Sequence, residues 1–182
     1  MKQQSQIERS LVKTENAIRR IKLEKIVLSC GSTGPNIEKS RKLLEVLTNK
    51  KPRIVKAGPK RRIPAFGVKP GLELGVMVTI RGKEAFALLK KLLGAVDNTL
   101  DASQISENTF SFGIPEYIEI HEVEYIREIG IRGLNVTVSF IRAGVRVKRK
   151  KIKRGRLPKK QNVTEEEIIS FMEENFNSEV EE

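Results

Sequence analysis

Between Asn49 and Gly75 the chain reads NKKPRIVKAGPKRRIPAFGVKPGLELG, and this stretch narrows the possible folds more than any other. Gly58-Pro59, Pro64, Gly67 and Pro70-Gly71 interrupt it too often for a continuous helix or a central strand. A short β-type run, Arg53–Ala57, precedes the interruptions, and an apolar β-rich run, Leu74–Ile80, follows them. The expected object is a long loop held between two strands. No acid occurs from Val46 to Leu72, while Lys50, Lys51, Arg53, Lys56, Lys60, Arg61, Arg62 and Lys69 all lie within. Loops of this length inside a domain are usually functional or disordered, and a solvated, mobile hairpin tip is the plain alternative.

Charge elsewhere bears on that choice. The net charge is +12 over 182 residues, but it is not evenly spread. Residues 46–72 hold 8 Lys/Arg and residues 129–164 hold 12, with no acid in either window. The remaining chain carries 15 basic against 23 acidic residues, so two cationic blocks sit on a mildly acidic body. This points to a polyanionic partner. The single cysteine, Cys30, excludes an intrachain disulfide and a multi-cysteine zinc site and suits a reducing compartment. No run has signal-peptide character or the length of a membrane span. A soluble, intracellular protein is expected, with no membrane partner and no cofactor or metal.

Taken in order, residues 1–20 are polar, with Ile7, Leu11 and Ile18 at loose helical spacing, and read as an N-terminal extension. Lys25–Ser29 is a buried-type strand ended by the turn Cys30–Pro35. Asn36 is the expected N-cap of a helix to about Thr48. Strand, glycine turn and helix start evoke a phosphate cradle, but the Gly-Lys-Ser/Thr ending and the dinucleotide spacing are absent, so a plain connection is the better reading. After Leu74–Arg81, a helix from Lys83 to about Leu93 is expected to be capped by Gly94. Residues 95–109 read as an irregular excursion, and Phe110–Gly113 and Tyr117–Ile120 as short strands. Leu134–Ile141 is the cleanest amphipathic strand, with Leu134, Val136, Val138 and Phe140 on one face. A basic tract to Lys160 follows. Thr164 and Glu167 form a capping box opening a last helix through Phe176, its stripe being Ile168, Phe171, Met172 and Phe176. The tail is acidic.

This pattern predicts an α+β fold: two layers, an antiparallel-dominated sheet with helices packed on one face, and a long basic loop between strands. The expected divisions are 1–20 as an extension, 21–141 as an α+β RNA-binding domain, and 142–182 as basic tract plus final helix.

No catalytic constellation is visible. His121 is the only histidine and lacks the companions a metal would need. A Cys30–His121 nucleophilic pair lies in no recognisable motif, and a lone cysteine is usually a small apolar side chain. Glu119, Glu122, Glu124 and Glu128 read as a solvated rim. Neither basic block is an amphipathic recognition helix for duplex DNA. Only Phe66 offers a ring for stacking on single strands. Folded RNA, read by shape, phosphate and 2′-hydroxyl, fits the charge better.

Read together, Lys25–Ser29, Lys56-Ala57 with Phe66-Gly67-Val68-Lys69, Val78–Gly82, Phe110–Gly113 and Ile129–Val138 resemble a known family. That family is the universal large-ribosomal-subunit protein that binds 5S ribosomal RNA. Arg142–Val147, the basic tract and the final helix resemble its archaeal and eukaryotic branch, and the likeness covers about residues 18–178. The resemblance implies a structural, non-enzymatic constituent of the large subunit that grips 5S rRNA and neighbouring large-subunit rRNA. By position it assigns 5S contacts to Ser29, Lys50 and Thr79, with Lys51 and Arg53 beside them. Lys56, Lys60, Arg61, Arg62, Phe66 and Lys69 would reach peptidyl-site tRNA and a small-subunit head protein at an intersubunit bridge. Arg142, Arg146, Lys148, Arg149, Lys150, Lys151, Lys153, Arg154 and Arg156 would bind rRNA, with other large-subunit proteins nearby. Ser29 stands where the family has Asn, Lys50 where it has Gln, Arg132 and Asn135 where it has Tyr and Asp, and Ala143 where it has Pro. Lys50 would exchange an amide's contact for a phosphate contact. A non-ribosomal RNA chaperone or assembly factor is the alternative in another class, and a Cys30-dependent enzyme a third.

Overall fold

The structure, a computed structural model, describes residues 18–121 and 123–181. The N-terminal extension over residues 1–20, with its loose helical spacing, therefore falls almost wholly outside the described residues, as does Glu122 of the acidic rim. In chain order the elements are β1 (Lys22–Gly31), α1 (Asn36–Thr48), β2 (Arg53–Lys56), β3 (Glu73–Ile80) and α2 (Lys83–Gly94). There follow β4 (Thr99–Asp101), β5 (Ile105–Ser106), β6 (Thr109–Ile114), β7 (Leu134–Ile141), the single turn α3 (Arg146–Arg149), α4 (Glu165–Phe176) and β8 (Glu179–Glu181).

Six strands form one sheet in the order β2-β3-β1-β7-β6-β5, with every neighbouring pair antiparallel. β1 is central and longer than the sequence suggests. Lys22 and Leu23 pair with Ile141 and Phe140, and a register shift at Glu24 interrupts the ladder. Period-two alternation then sorts the side chains. Ile26, Leu28 and Cys30 meet Ile80, Val78 and Val76 on one side; Ile26 and Leu28 meet Val138 and Val136 on the other. All are buried, together with Phe110, Phe112 and Ile114 of β6.

The helices supply the opposing layer of this core. Ile37, Leu43 and Leu44 of α1, Ala85, Leu89, Leu92 and Leu93 of α2, and Ile168 and Met172 of α4 join the strand residues in one cluster. The Phe171 ring meets Phe140 edge-on at 5.4 Å, and Phe86 stacks obliquely on Phe176 at 4.5 Å. Each ring pair adds on the order of 1 kcal/mol to simple burial. The two-layer α+β expectation holds.

Local expectations fare unevenly. The capping box holds: the Thr164 amide donates to the Glu167 carboxylate at 3.1 Å. Asn36 does not cap α1. Pro35 occupies that position, and the Asn36 side chain instead accepts a hydrogen bond from Arg132 Nη2 at 2.6 Å. Gly94 lies within α2, and Ala95 ends the helix. The strand expected at Tyr117–Ile120 is a 3₁₀ turn over Tyr117–Glu119. Tyr117 is wholly buried, and its hydroxyl accepts the Ile126 amide at 2.9 Å, which pins the turn. The 95–109 excursion contains β4 and β5, and the acidic tail supplies β8, which pairs in parallel with β4.

Candidate RNA-binding surface

Because α1, α2 and α4 cover one face of the sheet, the alternate residues face away from them. Along one row the register runs Arg53, Met77, Ser29, Asn135, Gly113 across five strands. At about 4.8 Å per strand this row is about 19 Å long. The next row runs Thr79, Val27, Thr137, Ser111, and a third runs Lys25, Ser139, Thr109. Apart from Met77 and Val27, the side chains are small, hydroxylated, amide or cationic, and none of the three rows holds a carboxylate. Hydroxyls and amides can donate to phosphate or 2′-hydroxyl groups, and short side chains let an RNA backbone come close.

Ser29, Thr79 and Arg53, far apart in sequence, thus share one face. Lys50 and Lys51 are exposed in the turn between α1 and β2, next to the edge strand of the sheet. Lys50 is not unengaged: its ammonium bonds the Glu84 carboxylate on the first turn of α2. That pair is exposed and worth at most about 1 kcal/mol, so a phosphate can displace it. Thr137, Ser111 and Lys25 belong to the same surface without being singled out in the sequence, and Asn135, noted there only as a departure from the family residue, lies among them. The signal for Asn135 and Thr137 was the polar alternation of Leu134–Ile141, which marks the face turned from the core; Ser111 and Lys25 join them through strand register.

The loop between β2 and β3 is an arm. Ala57 donates to Leu72 at 2.7 Å, and Gly71 donates to Ala57 at 3.1 Å. Farther out, Ile63 and Val68 exchange two backbone bonds of 3.0 Å each. The tip is a 3₁₀ turn over Pro64–Phe66 closed by Gly67 at φ 63°, a conformation that favours glycine. It leaves Phe66 81% exposed, while Lys60, Arg61, Arg62 and Lys69 are exposed around it. Lys56 lies at the stem, paired with Glu73 at 3.1 Å.

The basic tract is a folded lobe. Gly155 donates to the Val147 carbonyl at 3.2 Å, Arg154 Nε to the Lys148 carbonyl at 2.6 Å, and Gln161 to the Ala143 carbonyl at 2.9 Å. Arg149 reaches the sheet and pairs with Glu24 at 2.6 Å. That bond holds the Glu24 carboxyl below its ordinary value, against the opposing effect of its burial. Arg142 departs from expectation. It is 6% exposed, its guanidinium engages both carboxylate oxygens of Glu167, and it donates to the Lys160 carbonyl at 3.2 Å. Its charge is satisfied inside the protein, which corrects its assignment as an rRNA contact. Arg146, Lys148, Lys150, Lys151, Lys153, Arg154 and Arg156 are exposed or partly exposed.

Cys30 and His121 do not share a site. Cys30 is in the core beside Val76, and burial pushes its thiol up to about 11, partly opposed by the Arg132 charge. His121 instead borders a surface groove with Val46, Leu88 and Val123. Among the described residues no group of three or more His, Cys, Asp or Glu could hold a metal, and no helix is long and apolar enough to cross a membrane.

Known proteins resemble this chain in sequence. The sequence profile of the C-terminal part of the ribosomal protein L5 family matches residues 73–171, from β3 into α4. The large ribosomal subunit protein uL5 of Nanoarchaeum equitans is 40% identical over 169 residues, 91% of this chain and 99% of the relative. The uL5 of Sulfurisphaera tokodaii is 40% identical over 168 residues, 90% of this chain and 94% of that protein. That of Archaeoglobus fulgidus is 37% identical over 161 residues, 87% and 89% of the two chains. With this likeness running through about nine-tenths of the chain, the chain belongs to the uL5 family of large-subunit ribosomal proteins.

Proposed function

We propose that this chain is a structural, non-catalytic constituent of the large ribosomal subunit that binds 5S rRNA through the open face of its sheet. The observation that carries the reading is the row Arg53–Met77–Ser29–Asn135, free of carboxylates, on the face opposite the helices. Lys50 and Lys51 add phosphate contacts at its edge, and Thr79 lies one row away. The arm carries Lys60, Arg61, Arg62, Phe66 and Lys69 away from that face toward peptidyl-site tRNA and a small-subunit protein at an intersubunit bridge. The lobe meets large-subunit rRNA. Family membership favours this assignment over a free RNA chaperone or assembly factor, and a member of this family works with ribosomes in the cytoplasm.

The test is a titration of the purified protein against its own organism's 5S rRNA and an unrelated RNA of similar length across salt. The expected result is a preference for 5S rRNA that survives at physiological salt and is lost in a Ser29→Asp/Thr79→Glu variant. Equal binding of both RNAs that collapses together as salt rises would refute it, because charge alone behaves that way. A Lys60→Gln/Arg61→Gln/Arg62→Gln variant should keep its 5S affinity and lose tRNA or intersubunit contacts. Loss of 5S binding by that variant, with the fold intact, would assign the arm to 5S rRNA instead.

A further inference from the structure

Where the lobe meets the sheet it encloses a groove of about 900 Å³. By register Ser139 belongs to the open face, yet it is only 9% exposed, because the lobe lies over that corner. The floor is the end of β1 and β7, and the far wall is the 154–162 segment. Lys25, Lys148, Arg149, Arg154, Arg156 and Lys159 line it, against a single carboxylate, Glu24, which Arg149 already neutralises. The groove is therefore a built cationic site, held open by named contacts within the lobe.

Three neutral amides also line it, and each is anchored at one end. Asn108 Oδ1 accepts the Val163 amide at 2.9 Å, Gln161 Nε2 donates to Ala143 at 2.9 Å, and Asn162 Nδ2 donates to Glu107 at 2.9 Å. The other ends, the Asn108 donor and the Gln161 and Asn162 acceptors, are left for a ligand. A mixture of donors and acceptors behind a cationic rim suits nucleobase edges attached to phosphates. An acidic peptide could also meet the cations through its carboxylates and the amides through its backbone, so it is the competing occupant that the test separates. The volume is that of a pocket for small molecules, enough for one or two nucleotides and too small for a double helix. The one ring in the lining, Phe140, is 1% exposed, so stacking is not the means of recognition.

We infer that this groove, at the corner of the open face that the lobe covers, is an RNA site that takes unpaired nucleotides: their phosphates on the lobe cations, their base edges on the amides. It rests on the proposed function in taking RNA as the partner and the lobe as one of its contacts. A duplex tract would lie across the sheet while a bulged or single-stranded segment enters the groove at its corner.

The test uses the full chain and a labelled oligouridylate about eight nucleotides long, beside an RNA hairpin duplex of equal phosphate number at matched salt. In the Ser29→Asp/Thr79→Glu variant, whose open face no longer takes RNA, the oligouridylate should bind about tenfold more tightly than the duplex. Lys148, Arg156 and Lys159 make no ion pair among the described residues, so a Lys148→Gln/Arg156→Gln/Lys159→Gln variant leaves Arg142, Arg149 and Arg154 to hold the lobe. That variant should lose about tenfold or more in oligouridylate affinity and about 2 units of salt slope. A Lys148→Arg/Lys159→Arg variant should retain both. Equal affinity for single strand and duplex, unaltered binding by the Gln variant, or equally tight binding of a polyglutamate of matched charge would overturn the inference. The Ser29→Asp/Thr79→Glu variant should bind oligouridylate normally. If 5S affinity ignored that variant while oligouridylate binding still needed the lobe cations, only the proposed 5S face would fall.

Discussion

Glu167→Gln tests an ion pair whose cation is buried. Arg142 is 6% exposed on the side-chain scale, whereas Glu167 is 41% exposed. Glutamine keeps the length of glutamate and can still accept the Thr164 amide, so the capping box survives. What disappears is the negative charge facing a buried guanidinium whose Nε has no partner of its own. Stripping the partner from a buried charge costs about 3–5 kcal/mol. Here water reaches the glutamate side, which brings the expected loss down to about 2 kcal/mol. In a chain of this length that lowers Tm by about 4–8 °C.

The reverse truncation, Arg142→Met, behaves differently. Glu167 is exposed enough to hydrate, the methionine fills much of the vacated space, and only the Lys160 carbonyl is left short of a donor. The expected cost is about 1 kcal/mol. Urea unfolding with unchanged m-values reads both variants and the double variant, which should resemble Arg142→Met alone. A Glu167→Gln protein within about 0.5 kcal/mol of wild type would refute the reasoning. So would Arg142→Met proving the costlier of the two, since Arg142 would then act through packing. Arg142→Met should also leave the salt slope for RNA unaltered, as an inward-facing cation releases no counterion from RNA.

Other outcomes can be checked in parallel. Cys30 should resist thiol reagents at pH 8 in the native protein and react on denaturation, because burial holds its thiol near 11. Glu24 is depressed in the folded state, so its contribution is fully present above its ordinary value of 4.5 and is lost as pH falls through the lower folded value. Acid titrations of stability should accordingly show a shallower loss below pH 4.5 in Glu24→Gln than in wild type. A Gly75→Ala substitution drives a methyl group into the Cys30 carbonyl, backbone against backbone, and should cost about 3 kcal/mol by urea unfolding. Phe66→Ala, at a tip 81% exposed, should leave Tm unchanged while weakening whatever the arm touches.

Strong local periodicity was legible. The apolar sets of α1, α2, β7 and α4 were readable because 3.6- and 2-residue repeats need no knowledge of the rest of the chain. So was the loop between β2 and β3, because proline and glycine punctuation acts locally. Tyr117–Ile120 failed because Tyr-Ile-Glu-Ile alternates like a strand while its buried members, Tyr117 and Ile120, are three apart as in a helix. A four-residue run cannot decide between the two. The β4–β8 pairing joins Leu100 to Val180, and no local signal reaches across that separation. The surface rows fall in the same class: alternation told that Asn135 and Thr137 face together, but only strand order sets Arg53, Ser29 and Asn135 in line. Arg142 was misread for a related reason. Composition grouped it with its basic neighbours, and its partner Glu167 lies beyond the tract.

That partner suggests why the lobe folds at all. Residues 142–160 contain many cations and no acid, so self-repulsion alone would extend the segment. Two carboxylates from outside it oppose this: Glu24 at the β1 register shift and Glu167 on the first turn of α4. They engage Arg149 and Arg142 and so fasten the tract to the sheet and to the last helix. The other cations are left facing outward at fixed positions. A disordered basic tail would bind any RNA by charge and lose entropy on doing so. A lobe pinned at two points has already met much of that cost during folding, which allows it to present a shaped groove rather than a diffuse field. If the groove takes RNA as proposed, the two acids act on that binding by shaping the lobe. Glu24→Gln should loosen the groove and lower oligouridylate affinity even though it removes a negative charge from a site for a polyanion. If affinity rose instead, Glu24 would be a competitor for Arg149, and the ordering role assigned to it here would be wrong.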